Sequence, residues 1–303
     1  MATPHAAGYP ATDQRTGLLV AVAGVTVLSF DALLVRLSGA AGWDVVFWRG
    51  LLMALSVSAV LFATQGRHAL RIWRRGGWAA AASGAAFGGN AVLFVFAVLH
   101  THAANALVLF ATAPLFAAIF TWLFLGEAVG RRTWLAVLAV IGGTAVLLTG
   151  GAAPLAARWG DLAALLAAVS MGANLTLLRA RPEINRLPVV ATGGAVAALL
   201  ATPWAAPLAL APASYAVLGV MGLVQMPLAL LLIAQATRYL PSPEVSLVLL
   251  LEAALGPLWV WLALGEVPPP ASLLGGGIIV AALLAYLAGE IWADTAGWRP
   301  GRS

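Results

Sequence analysis

The chain contains no cysteine and no lysine, and only 9% of its residues are charged. Without thiols there is no disulfide staple, no thiolate nucleophile and no thiolate metal site. Its four histidines, His5, His68, His100 and His102, fall in tails or connections, and none belongs to a paired-histidine motif with a neighbouring glutamate. Gly-x-Ser-x-Gly and a phosphate-cradling glycine loop are also missing. These absences leave catalysis without a visible home and imply neither a resident metal nor a cofactor.

What is present is apolar surface. Hydrophobic residues make up 62% of 303 positions, and the mean hydropathy is +0.96. So little polar surface cannot cover a soluble globule of this length, so the solvent must be lipid. A helix needs roughly 20 mostly apolar residues to cross about 30 Å of hydrocarbon, and it satisfies its own backbone there. The alternating pattern of barrel strands is absent. Ten stretches qualify: 17–37, 43–63, 78–99, 103–125, 133–148, 161–178, 187–204, 215–236, 243–264 and 272–292. Prolines 203, 207 and 212 crowd the end of the seventh. Residues 1–16 and 293–303 read as polar tails, and the first apolar run reads as a retained span rather than a cleaved leader.

The chain is a duplication. The ending Leu125-Gly126-Glu127 of the fourth stretch is repeated as Leu264-Gly265-Glu266 at the end of the ninth, an offset of 139 residues. Each unit, 17–150 and 158–292, holds five stretches. An odd number makes the second unit enter the membrane with the opposite orientation, an arrangement common among carriers. The expected fold is therefore an all-α integral membrane protein of ten transmembrane helices in two inverted five-helix repeats.

Arginine fixes the expected orientation. With both termini cytoplasmic, thirteen of the sixteen arginines lie on inner connections or tails, including the Arg67 to Arg75 cluster. Arg36 and Arg158 fall outside and Arg49 lies within a span, as the positive-inside rule requires. The net charge of +5 thus reports topology and contact with anionic lipid heads rather than nucleic-acid binding.

Ionisable groups at membrane depth cost roughly 2.5–3.5 kcal/mol, so they mark function. Asp31 in the first span and Arg49 in the second stand at comparable depth and are placed to pair. Glu252, in the ninth, has no basic residue within its span, and its repeat counterpart is Ala113. It is a candidate hydrogen-bonding ligand, anchor for an ammonium group or proton carrier, with a structural hydrogen bond to a neighbouring helix as the other reading. Asn90, Asn105, Asn174 and Gln225 form a second polar tier, with Asp31 and Asn174 at equivalent repeat positions. Any one asparagine serves more often as helix-to-helix glue. Trp259 and other deep tryptophans offer aromatic faces. Pro114, Pro227 and Pro257 free backbone carbonyls where helices line a cavity or bend, and Gly88 in a Gly-x-x-x-Gly row allows close helix approach. The candidate substrate-binding set is Glu252, Asn90, Asn174, Asp31, Gln225 and Trp259. The candidate hinges are Pro114, Pro227, Pro257 and Gly88.

Phe47-Trp48-Arg49, Ala111-Thr112-Ala113-Pro114-Leu115 and the two Leu-Gly-Glu endings resemble the drug/metabolite transporter superfamily, and within it the EamA-type exporters. The resemblance covers residues 17 to 292. Two positions depart from it: Ala253 replaces Pro114, and Thr192 replaces Arg49, so the halves are functionally unequal. The resemblance implies a ten-helix basket in the cell's inner membrane, with a cavity lined by spans one, three, four, six, eight and nine. It also implies a small-metabolite substrate, with amino acids bearing apolar or aromatic side chains foremost. Export of another metabolite or of a cationic drug-like solute is the alternative, and an intramembrane enzyme built on Asp31 and Glu252 is a remote one. Proton coupling through Glu252 and passive facilitation both fit the sequence, as do a monomer and a homodimer.

Overall fold

The computed structural model describes residues 11–126, 131–149, 155–181, 183–236, 239 and 248–295. Glu127, Arg238 and the expected start of the ninth span at Pro243 lie outside them, as do most of the two tails. Every described element is helical: α1 (Ala11–Ser29), α2 (Asp31–Leu37), α3 (Gly42–Gln65), α4 (His68–Arg75), α5 (Gly77–His100), α6 (Ala103–Phe110), α7 (Ala113–Leu125), α8 (Arg131–Thr149), α9 (Leu155–Ala180), α10 (Arg186–Ala201) and α11 (Pro212–Gly219). A π-helical turn (Val220–Gln225) then leads into α12 (Met226–Ala236), and α13 (Leu251–Leu264) and α14 (Pro270–Thr295) follow.

Among the described residues, six helical stretches are long and apolar enough to cross a bilayer. Four shorter apolar helices, Trp134–Val146, Arg186–Ala201, Leu251–Leu264 and Pro270–Ala282, occupy the other expected positions. The Arg67 to Arg75 connection is not plain loop, because most of it folds as α4, which buries Ala69 and leaves most of its basic side chains exposed. A short basic amphipathic helix of this kind lies well in a headgroup layer.

The helices pack in reciprocal pairs. The third span (α5) lies on α9, and in the other half the eighth (α12) lies on α1. The fourth span's α7 also packs on α9, matched by α13 on α1, while α3 pairs with α10 and α8 with α14. Lipid removes the hydrophobic drive for helices to associate, so close backbone approach through small residues must supply it. A Cβ on Gly88 would stand 2.6 Å from the Gly193 carbonyl oxygen, and one on Gly172 would meet Phe116 Cβ at 2.6 Å.

The duplicated Leu-Gly-Glu ending has a structural meaning. Gly126 and Gly265 adopt φ of 69° and 70°, the left-handed conformation in which glycine ends a helix. Each donates its N–H back into the last turn, to Trp122 O at 3.2 Å and Trp261 O at 2.8 Å. Glu266 then crosses to the other half. Its Oε1 accepts from the Ala103 N–H at 3.0 Å, capping α6, and its Oε2 pairs with Arg36 Nη1 at 3.2 Å. Glu266→Ala is expected to remove about 1–2 kcal/mol of stability, mostly the cap, since the half-exposed ion pair adds little. Thermal unfolding in detergent measures it, and an unchanged midpoint would refute the capping role.

Candidate functional site

Four of the expected spans are broken, and the breaks cluster around the charged groups. The first span stops at Ser29 and restarts at Asp31. The fourth is interrupted at Ala111 and Thr112, with Pro114 in the first turn of the helix that follows. The eighth widens into the π turn just before Pro227, whose ring nitrogen cannot donate to the preceding turn. The ninth turns at Leu250 and carries Pro257 inside α13. Two of the four candidate hinges, Pro114 and Pro227, therefore sit beside an interruption, while Pro257 lies within the continuous α13. Gly88 lies inside uninterrupted α5, and its visible role is contact with α10.

Asp31 and Arg49 form the expected pair, Arg49 Nη2 donating to Asp31 Oδ2 at 2.8 Å, with both residues buried. The guanidinium also stands 5.8 Å from the centroid of the Phe94 ring, a cation–π distance. Phe94 meets Phe110 edge to face at 5.2 Å, so the last residue of α6 backs the Phe94 ring. Asn90 lies one turn from Phe94 on α5, on the same face. Glu252 is partly exposed and within electrostatic reach of both Asp31 and Arg49. Gln225, in the π turn, donates to the carbonyls of Val27 and Leu28 at 3.0 and 3.2 Å, just ahead of the break in the first span.

The polar atoms here are only half satisfied. Among the described residues, five buried side-chain polar atoms lack a hydrogen-bond partner, and four belong to Asp31, Arg49, Asn90 and Gln225. Each such atom costs about 1–3 kcal/mol if it stays dry and unmet. Such atoms call for a partner that the described side chains do not supply.

Two other candidates have structural partners. Asn174 accepts from Ser83 Oγ across the α5–α9 seam, and Trp259 donates to Ser29 Oγ at 2.8 Å while stacking on Phe30 at 4.8 Å. Trp259 thus ties α13 to the break in the first span. Asn105, the other second-tier asparagine, is also occupied. It donates to Asp161 Oδ1 at 3.2 Å and accepts from Ser272.

Sequence reasoning missed Asp161. The residue stands at the first position of a span and reads as an interfacial acid, yet only 5% of it is exposed. Thr101 Oγ1 donates to its Oδ1 at 2.6 Å. A cavity of about 350 Å3 lies between α6, α8 and α9, away from Glu252, and is lined by Leu109, Thr144, Arg158, Asp161, Leu162 and Leu165. The available signal was the spacing of Arg158 and Asp161, three apart on one helix face.

Broken, apolar helices that converge on a buried and incompletely satisfied charge set define a membrane transporter rather than an enzyme. The chain belongs to the EamA-like transporter family, whose pattern matches residues 15–149 and again residues 158–288. A probable terminal-alkyne amino-acid exporter of Streptantibioticus cattleyicolor is 29% identical over 221 residues, covering 64% of this chain and 67% of its own length. Pseudopaline exporter CntI of Pseudomonas aeruginosa is 25% identical over 197 residues, covering 64% and 69%. A solved crystal structure aligns with a TM-score of 0.64 at 18% identity, over 91% of this chain and 96% of its own, a likeness of fold.

Proposed function

We propose that this chain exports small metabolites, foremost amino acids with apolar or aromatic side chains, across the inner membrane by alternating access. Ten crossings in two inverted repeats, 17–150 and 158–292, with both termini cytoplasmic, form the working unit. The reciprocal helix packing supports that arrangement. So does the meeting of Arg36, Thr101, Asp161 and Glu266 through a shared hydrogen-bond network. Inverted repeats put the end of the first span, the third-to-fourth turn, the start of the sixth and the end of the ninth at one face.

The observation that carries the reading is the buried Asp31–Arg49 pair, with orphaned atoms on both partners and Glu252 within electrostatic reach. Two carboxylates against one guanidinium leave an excess negative charge when all are ionised, and an ammonium group neutralises it. The free Arg49 Nε then faces the substrate carboxylate, and the amides of Asn90 and Gln225 complete the polar contacts. Phe94 and Phe110 give the side chain an apolar wall. The interruptions beside Pro114 and Pro227, with the proline inside α13 at Pro257, let the bundles pivot about this point, because such helices bend without stripping ladders of hydrogen bonds. Export names on both relatives support the direction of transport, and the first relative's name supports an amino-acid substrate.

Counterflow of L-leucine and L-phenylalanine in proteoliposomes tests it. Glu252→Gln is expected to slow exchange at least about tenfold, the equivalent of about 1.4 kcal/mol of lost ammonium binding. A pH series on both proteins then separates roles: a flattened profile makes Glu252 a proton carrier as well. An unchanged rate with an unchanged profile removes Glu252 from the mechanism.

A further inference from the structure

The cavity between α6, α8 and α9 has a composition that the midplane site does not account for. Its charged lining residues are Arg158 and Asp161, and Leu109, Leu162 and Leu165 supply apolar walls with Thr144 beside them. Arg158 and Asp161 are one turn apart on α9, yet they share the cavity without forming an ion pair with each other. Asp161 is held elsewhere: Thr101 and Asn105 both donate to its Oδ1. Asn105 is itself fixed by Ser272 of the other half. Arg158 is exposed and Asp161 buried, so the positive group stands at the mouth and the negative group at the wall.

An anion and a cation one helical turn apart, kept unpaired around an apolar hollow, match the two ends and the side chain of an apolar amino acid. The volume, about 350 Å3, lies within the roughly 300–1,000 Å3 typical of small-molecule sites. We infer that this cavity is a second, outward-side binding site for an apolar zwitterion, with Asp161 taking the ammonium, Arg158 the carboxylate and the three leucines the side chain. The inference rests on the amino-acid reading above and places a second stop on the same route.

The site is joined to the outer contacts of the two halves. Thr101 donates to Asp161 with its hydroxyl, while its carbonyl accepts from Arg36 Nη2 at 2.6 Å, and Arg36 pairs with Glu266. An ammonium on Asp161 therefore acts on the same strap that holds α6 to α2 and α13. Occupancy of the outer site is coupled to the contacts that must part for release.

Equilibrium binding of radiolabelled L-leucine and L-phenylalanine to the purified full-length protein in nanodiscs provides the test. The wild type is expected to bind two equivalents. Arg158→Gln, at an exposed position, and Leu165→Trp, which fills the hollow without removing a charge, are each expected to leave one. Glu252→Gln is expected to weaken that remaining equivalent about tenfold and to leave the outer one unchanged. Two equivalents retained by Arg158→Gln, Asp161→Asn and Leu165→Trp alike would overturn the second site, as would a single wild-type equivalent that depends on Glu252 alone. Failure of the wild type to bind either amino acid would instead refute the amino-acid reading, and the second site with it. A monodisperse elution profile and an unchanged thermal midpoint confirm that each variant is folded.

Discussion

Asp31→Ala is expected to abolish transport and to destabilise the protein by about 3–5 kcal/mol, the usual loss when one partner of a buried ion pair is removed. The carboxylate and guanidinium meet at 2.8 Å, with side-chain exposures of 3% and 7%. With Asp31 gone, Arg49 keeps its charge among Phe94, the apolar faces of α3 and α5 and an already unpartnered Nε. The double replacement Asp31→Leu with Arg49→Leu separates the two effects. It is expected to restore most of the stability, because apolar residues of similar volume replace a buried pair at little cost, while transport stays absent. Thermal unfolding followed by tryptophan fluorescence, alongside counterflow, reads both quantities. Wild-type transport in the double variant would show that the pair only holds helices together.

The second large effect is steric. Gly50 and Gly194 face each other where α3 meets α10, and a Cβ on either would stand 2.6 Å from the other's carbonyl oxygen. Neither backbone can retreat, since both sit in continuous helices. Gly194→Val is therefore expected to destabilise by about 1–3 kcal/mol or more, and the yield of folded protein should fall sharply. Gly142→Ala is the control, because a Cβ there meets nothing within 4 Å, and a change within about 0.5 kcal/mol is expected. Equal losses in the two variants would mean that the close contact at Gly194 does not decide the effect, since both substitutions raise helix propensity.

Much of this was legible in the amino-acid order because the physics involved is local or periodic. Apolar runs announce helices in lipid, a repeated Leu-Gly-Glu announces two helix ends of the same kind, and two opposite charges at matching depth announce a pair. Glu252 stood out for the same reason, as a carboxylate without a cation in its own span. What stayed hidden depends on who faces whom. Asn90 and Asn174 look alike as isolated amides, yet one has an orphaned carbonyl oxygen beside the charge set and the other is used up by Ser83. Trp259 reads as an aromatic face, but Ser29 and Phe30 occupy it. Asp161 reads as an interfacial acid, and only the packing of Gly160 against His100 and Thr101 turns it inward. The π turn ahead of Pro227 follows from a missing donor, but its placement at Gln225 comes from tertiary contact with the first span.

The most direct measurement uses the absence of cysteine, which gives every introduced thiol a silent background. Asn90→Cys and Asn174→Cys proteins in oriented vesicles are treated with a membrane-impermeant methanethiosulfonate reagent, with and without L-leucine. Modification at position 90 that slows when leucine is present, with position 174 unreactive in its helix seam, is the outcome a hydrated central cavity requires. No modification at position 90 from either side would mean that the charge set is sealed in packed protein, and the transport route described here would not exist.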